Sequence, residues 1–342
     1  MLKKTIGAFR GKVERYMYHY QELGLQNTKA MFEKAYREGY AVPALNFVSI
    51  EQFNAIMDAV KEKHSPMILL ASPNLHRQLG AEMLARICQS GVDRLRNEGV
   101  GEVPVALHLD HGMTYEHCVR AIETGFSSVM IDGSALSFEE NVALTQKVVE
   151  YAHAHGVTVE GELGILSGAE EAGGEDHGHS SQYTDPAFVE EFVHRTGVDS
   201  LAISIGTCHG LVKMKPLKDG TLPELRYDIL EDIQRRVPGF PIVLHGSSTI
   251  PVKYVQMINQ YGGKLEETAG IPEDQVTKAS KLAVCKVNIA SDGWLSALAL
   301  TRKILAENLA AIDSRVFTLK VRPELAELYK HKIDVMGSEG KA

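Results

Sequence analysis

Cysteine is scarce in this chain and never closely paired: Cys88, Cys118, Cys208 and Cys285 form no C-x-x-C motif. That scatter excludes a disulfide scaffold and fits a reduced compartment. Long apolar runs are also lacking. No stretch is long enough to cross a bilayer, and the basic start at residues 1–7 leads into no apolar signal core. The expectation is a cytoplasmic protein with no membrane partner. Positive charge is in deficit, with 36 Lys and Arg against 44 Asp and Glu for a net charge of −8. Such a balance sets nucleic acid aside as a partner, although it leaves room for a local phosphate pocket.

What is present is a beat. From Thr28 onward, short apolar runs alternate with helical patterns over most of the 342 residues. Strand patterns fall at 40–46, 67–71, 103–109, 128–132, 157–162, 200–205, 241–245 and 284–289. Helical patterns fall at 30–38, 50–63, 75–97, 115–124, 138–155, 186–196, 224–236, 251–261, 272–282, 294–311 and 323–333. Strict alternation demands parallel strands joined by helical crossovers, and eight such units close into a (β/α)₈ TIM barrel. An open doubly wound sheet would carry a glycine-rich phosphate turn after its first strand, and none is there. The expected organisation is one barrel domain over 1–342, with 1–27 as an N-terminal extension and 294–342 as a C-terminal helical one.

Barrel enzymes work at the C-terminal ends of their strands. Here those ends carry Asn46, Ser72, Asp110-His111, Asp132, Glu160-Gly-Glu162, His209, His245 and Asn288. Asp110 and His111 are neighbours that a regular strand would point to opposite faces. Gly112, by turning the chain, is expected to let both reach one pocket. His111, His209 and His245 close three strands, each directly before a glycine. Three imidazoles with an open fourth position suit zinc or cobalt better than magnesium. Glu162 is an extra ligand or a carboxylate supporting one. Gly210, Lys213, Gly246, Ser247, Ser248 and Ser291 gather on the late strands, where freed N–H groups and hydroxyls form an anion nest. The loop 164–181, with Glu170 among its glycines, reads as a mobile lid carrying a base. His177 and His179 in that loop have metal-like spacing, though an exposed loop pair is more often incidental.

Together, His-Leu-Asp-His-Gly (108–112), Val-Glu-Gly-Glu-Leu-Gly (159–164), Ile-Gly-Thr-Cys-His-Gly (205–210), Leu-His-Gly-Ser-Ser (244–248) and Lys-Val-Asn-Ile (286–289) resemble the class II, metal-dependent fructose-1,6-bisphosphate aldolases. Tagatose-bisphosphate aldolases share the motifs. The resemblance runs from about Thr28 to the C-terminus. It implies zinc, or another divalent transition metal, on His111, His209 and His245, with Glu162 as an alternative ligand and a monovalent cation alongside. It implies Asp110 as the acid/base at the C4 hydroxyl and Glu170 as the base at the dihydroxyacetone phosphate carbon. Gly210, Lys213, Gly246, Ser248 and Ser291 match the region that cradles that phosphate. Ser72 and Asn288 match residues touching the triose hydroxyl and the enediolate, with Asn46 on the same rim. Arg315 resembles an arginine that reaches the distal phosphate from a neighbouring subunit, which implies a homodimer or larger homo-oligomer acting on sugar phosphates.

Some positions depart from the family pattern. Ser167 stands where a glycine is usual, Ala290 where an aspartate is, and Ser314 where a proline is. The sequence after strand two, Ser72-Pro73-Asn74-Leu75-His76, also differs from the usual glycine-rich one. The metal chemistry is untouched by these changes; the aldehyde half of the substrate is where they fall. Fructose 1,6-bisphosphate is the first expectation and tagatose 1,6-bisphosphate the second. A metal-dependent barrel hydrolase, or a phosphosugar-binding relative without turnover, is a remoter reading.

Overall fold

The structure, a computed structural model, describes residues 18–166, 183–214 and 216–342. Eight parallel strands close into a barrel in chain order, each hydrogen-bonded to the next and the last to the first. They are β1 (Val42–Asn46), β2 (Met67–Ala71), β3 (Val105–Gly112), β4 (Ser128–Ile131), β5 (Thr158–Leu163), β6 (Ser200–Ile203), β7 (Ile242–Leu244) and β8 (Val284–Ile289). All their residues are buried, as expected of strands covered by helices outside and packed side chains inside.

The helices are α1 (Lys29–Glu38), α2 (Ile50–Lys63), α3 (Pro73–Leu79), α4 (Ala81–Asn97), α5 (Tyr115–Glu123) and α6 (Phe138–Ala154). After them come α7 (Pro186–Thr196), α8 (Tyr227–Arg236), α9 (Val252–Gln260), α10 (Glu273–Ser280), α11 (Ser291–Glu307) and α12 (Arg315–Met336). Their starts are written in the sequence. Ser49, Ser72, Thr114 and Ser137 each accept a backbone N–H three residues on, and Ser137 with Glu140 completes a capping box. Gly39, Gly197 and Gly337 end α1, α7 and α12 in the left-handed conformation.

Two helical expectations need correction. The pattern at 75–97 is two helices, because Gly80 at φ 83° breaks the ladder between α3 and α4. The last helix starts at Arg315, not at Pro323, which lies inside it. Proline there leaves the Leu319 carbonyl without a helical partner. Leu319 is exposed, so water can take that bond.

The core has two main tiers and a small third cluster of Met130, Ala202 and Val243. A continuous apolar cluster fills the space between the strands' outer faces and the helices. A smaller one joins Met31, Phe32 and Ala35 of α1 to Val42, Ala44, Ile68, Leu70 and Ala106, so α1 covers the end where the strands begin. Each fully buried Leu or Ile here contributes about 1.5–3 kcal/mol over leaving it exposed. Part of the N-terminal extension is tied to the same end. Gln26 donates to the Val105 carbonyl, and the Tyr20 hydroxyl to that of Gly156. Among the described residues no helix is long and apolar enough to cross a membrane.

Candidate metal and phosphate site

The mouth of the barrel is organised by an irregularity in β3. Opposite β4, Leu109 pairs with Val129 and Gly112 with Ile131, so β3 holds one residue more than its partner. That residue is taken up by His111, whose φ of 52° is left-handed. A bulge of this kind re-aims side chains. Asp110 and His111, which a regular strand would point apart, both line the pocket. The turn was expected at Gly112. Gly112 instead serves close packing, since a Cβ there would stand 2.6 Å from the Met130 carbonyl oxygen.

Candidate ligand nitrogens of His111, His209 and His245 all lie within 4.8 Å of one another. Two of the rings are held from behind. Asp132, just past β4, meets Nδ1 of His111 at 2.9 Å, while Glu160 on β5 meets Nε2 of His245 at 2.9 Å. A carboxylate accepts, so these partners put the protons on His111 Nδ1 and His245 Nε2. The remaining two nitrogens carry lone pairs and face each other at 2.7 Å. Two lone pairs so close repel, and a proton or a metal ion shared by the two rings relieves that repulsion. Burial, ahead of any neighbouring charge, also drives His209 and His245 well below the ordinary histidine value, so both are neutral as metal ligation requires. The donor set therefore fits a divalent transition metal.

The supports are themselves supported. Burial alone would raise Asp132, but hydrogen bonds from His111 and from the Ser134 hydroxyl and backbone outweigh it and hold the carboxyl well below its usual range. Glu160 is ion-paired at 2.7 Å with Lys286, fully buried on β8, whose Nζ also stands 3.4 Å from His108. Glu162 lies on the Asp132 side, with an oxygen 3.8 Å from His111 Nδ1, and forms a second cluster with those two residues. Asp110 is buried with both oxygens engaged, accepting from the Asn46 amide at 2.9 Å and the Asn288 amide at 2.9 Å. Asn46, Asp110 and Asn288 thus form one fixed unit beside the histidines.

The opposite wall is made of loops. Lys213, Gly246 and Ser248 line the same pocket, with Ala290 and Trp294 beside them. Gly246 is at φ 63°, and a Cβ there would strike the Cys208 carbonyl oxygen at 2.4 Å. Thr207 stitches the loops together by donating to the His245 carbonyl at 2.7 Å. Lys213 is buried, and that burial pushes its amine down to about 8.

Other expected residues do not line that pocket. Gly210 sits in the loop after His209 at φ 79°. Ser247 turns its hydroxyl to the His245 carbonyl at 3.1 Å. The Ser72 oxygen caps α3 by accepting from Leu75 N–H, and Ser291 is buried as the first residue of α11. Arg315 opens α12 on the surface, paired with Asp313 at 2.5 Å and outside the pocket. Glu170, His177 and His179 lie outside the described residues. Reading the residues alone assigns no role to Asp132, Glu160 or Lys286. The i, i+2 spacing of Glu160 with Glu162, and of Lys286 with Asn288, was the available signal.

Comparison with known proteins agrees with this geometry. The family described as "Fructose-bisphosphate aldolase class-II" matches residues 26–341. A fructose-bisphosphate aldolase of Treponema pallidum is 50% identical over 336 residues, covering 95% of this chain and 100% of that protein. One from Pseudomonas aeruginosa is 36% identical over 337 residues, covering 94% of this chain and 93% of that one. Among solved structures, the YdjI aldolase of Escherichia coli K12 superposes with a TM-score of 0.71 at 28% identity, covering 93% of this chain and 99% of that one. The chain belongs to the class-II fructose-bisphosphate aldolases, a family of metal-dependent lyases.

Proposed function

We propose that this chain cleaves fructose 1,6-bisphosphate reversibly to dihydroxyacetone phosphate and glyceraldehyde 3-phosphate, using zinc held by His111, His209 and His245. The observation that carries the reading is the convergence of three histidine nitrogens within 4.8 Å, beside an aspartate fixed by two amides. The relatives' shared name, fructose-bisphosphate aldolase, supports the choice of sugar.

When bound, the metal supplies Lewis-acid polarisation of a carbonyl and stabilises the negative charge that C–C cleavage leaves behind. The chain's own groups do the rest. Asp110, held by Asn46 and Asn288, takes the proton from the C4 hydroxyl in cleavage and returns it in condensation. Its two amide partners spend their hydrogen bonds on orientation, so the carboxylate meets the substrate already aligned. Glu170 removes and restores the proton on the dihydroxyacetone phosphate carbon. Lys213, Gly210, Gly246, Ser248 and Ser291 hold the phosphate of that half, while Ser72 and Asn288 contact its oxygens. Glu162 offers a second resting position for the metal. Arg315 meets the distal phosphate of a neighbouring subunit in a homo-oligomer, and the protein works in the cytoplasm.

Tagatose 1,6-bisphosphate is the second reading, favoured by Ala290. This residue lines the pocket with a methyl group where the resembling family usually carries a carboxylate. A coupled assay of triose phosphate release from each ketose bisphosphate decides between the two. Fructose turnover that survives exhaustive chelation would remove the metal mechanism. Turnover of neither ketose would remove both readings.

A further inference from the structure

Behind the loop that follows β7 lies a buried ion pair that the chemistry above does not use. Asp292, in the first turn of α11, is fully buried. Its Oδ1 accepts from the Ile250 N–H at 2.7 Å, while Oδ2 accepts from the Thr249 N–H at 3.0 Å and the Thr249 hydroxyl at 3.1 Å. Lys332, near the end of α12 and 1% exposed, reaches the same Oδ2 at 3.0 Å. It also donates to the Thr249 hydroxyl at 2.5 Å and to Glu273 at 2.8 Å. The last helix of the chain is thereby tied to the loop that carries Gly246 and Ser248.

The loop needs holding. Ile250 sits at φ 47°, left-handed for a β-branched residue, which costs roughly 1–2 kcal/mol. The bond from its N–H to Asp292 lies at the strained residue itself. On the other flank the Ser248 carbonyl accepts from Ile271 N–H at 3.1 Å. For stability alone, a buried lysine–aspartate pair is a poor choice, since well-packed apolar residues do as well or better. Its charges make sense where they act on a ligand. An uncompensated Asp292 behind this loop would repel an incoming phosphate, and Lys332, shared between Asp292 and Glu273, offsets part of that charge.

We propose that Asp292 and Lys332 are a positioning couple that sets the shape and local charge of the phosphate loop, making α12 part of the substrate site. The proposal rests on the reading of Gly246 and Ser248 as phosphate-binding. The test uses the metal-loaded full chain and its Asp292→Asn, Lys332→Met, doubly substituted, Thr249→Val and Ser248→Ala forms. Inorganic phosphate serves as the binding probe, alongside kcat, KM, bound metal and Tm. Lys332→Met, which leaves Asp292 uncompensated, is expected to raise both the phosphate Kd and the KM about tenfold; Asp292→Asn, which loosens the loop but removes a repulsive charge, should raise them less, with kcat and metal content nearly unchanged in both. The double variant should be no worse than the worse single, as for two members of one unit. Thr249→Val removes only the bridging hydroxyl, so it is the variant to use if a charge change prevents folding, and it should show a smaller rise of the same kind. A fall in Tm with unchanged Kd and KM, while Ser248→Ala raises both, would overturn the couple's role and leave the phosphate reading standing. No response to Ser248→Ala would remove the phosphate reading, and the couple's task with it.

Discussion

On one side of the mouth Asp110, His111 and the strand residues behind the histidines stand in the sheet, with His209 and His245 in the loops after β6 and β7; on the other side the groups stand on loops held from outside the barrel. Asp110 and His111 belong to β3 and Asn288 to β8, Asn46 ends β1, and their supports Glu160 and Lys286 are strand residues as well. Lys213, Gly246 and Ser248 lie between elements, and the loop that carries Gly246 and Ser248 is held from α11 and α12 outside the barrel. A metal tolerates little error in donor position, so its ligands gain from partners anchored in a hydrogen-bonded sheet, as Glu160 of β5 anchors His245. A phosphate is larger and is gripped by backbone and hydroxyl groups, which only a turning chain can present. The difference predicts that damage on the metal side abolishes chemistry, whereas damage on the phosphate side weakens binding.

The largest effect belongs to the ligands. His209→Ala is expected to lower kcat/KM by about ten-thousandfold, the several kcal/mol that a Lewis acid contributes. Bound metal, measured by elemental analysis, should disappear with it. A variant that stays active without metal breaks the distinction between the two walls.

Asp110→Asn comes next. It preserves shape but removes the proton acceptor, so kcat should fall about a thousandfold, within the range of general acid–base catalysis. Metal content should stay full. Solvent exchange of the dihydroxyacetone phosphate C–H proton, assigned to Glu170, should survive in Asp110→Asn and fail in Glu170→Ala. Equal losses of cleavage and exchange in both variants would show that the two proton transfers are not divided between these residues.

Lys286→Met tests the support beneath. The pair with Glu160 is fully buried, and removing one partner strands the other charge at a cost of about 3–5 kcal/mol of stability. Because Glu160 fixes His245, metal affinity read by chelator competition should drop about 10–100-fold, as for other outer partners of metal ligands. Unchanged affinity in a destabilised protein would reduce Lys286 to a structural role.

How much of this was legible beforehand follows from the same physics. The barrel was readable because each strand is a short apolar run bounded by helix caps and glycines, a purely local signal. The three histidines were readable because each directly precedes a glycine at or soon after the end of an apolar run. Lys286 and Glu160 are 126 residues apart, and nothing local says that they meet; only closure of the barrel brings β5 and β8 side chains together. The bulge at His111 was half legible. The need for Asp110 and His111 to share a pocket was clear, but the strain was assigned to Gly112, the residue that bears it most easily. Asp292 and Lys332 stayed hidden because both lie in helices whose sequence pattern reports only an apolar face.

The smallest effect is a pH dependence on the phosphate side, and it separates binding from stability within one residue. Burial pushes Lys213 from the ordinary lysine value of 10.5 down to about 8, against the opposing pull of Asp292 and Cys208. In the free site the cation is present below about 8 and is lost above it. Affinity for phosphate should therefore weaken as pH rises, by about threefold between pH 7.5 and 8.5 for a single titration. Stability moves the other way. Between about 8 and 10.5 the unfolded chain keeps a proton that the folded chain has released, so this group makes the free energy of unfolding increase with pH across that window. Below about 8 both states hold the proton, and the contribution is constant. Phosphate titrations and denaturant midpoints measured on ligand-free protein from pH 7 to 10 should show the two opposite slopes. Lys213→Met should flatten both while leaving bound metal unchanged. Identical profiles for the variant and the parent would place the titrating group elsewhere and free the loop wall from any dependence on this lysine.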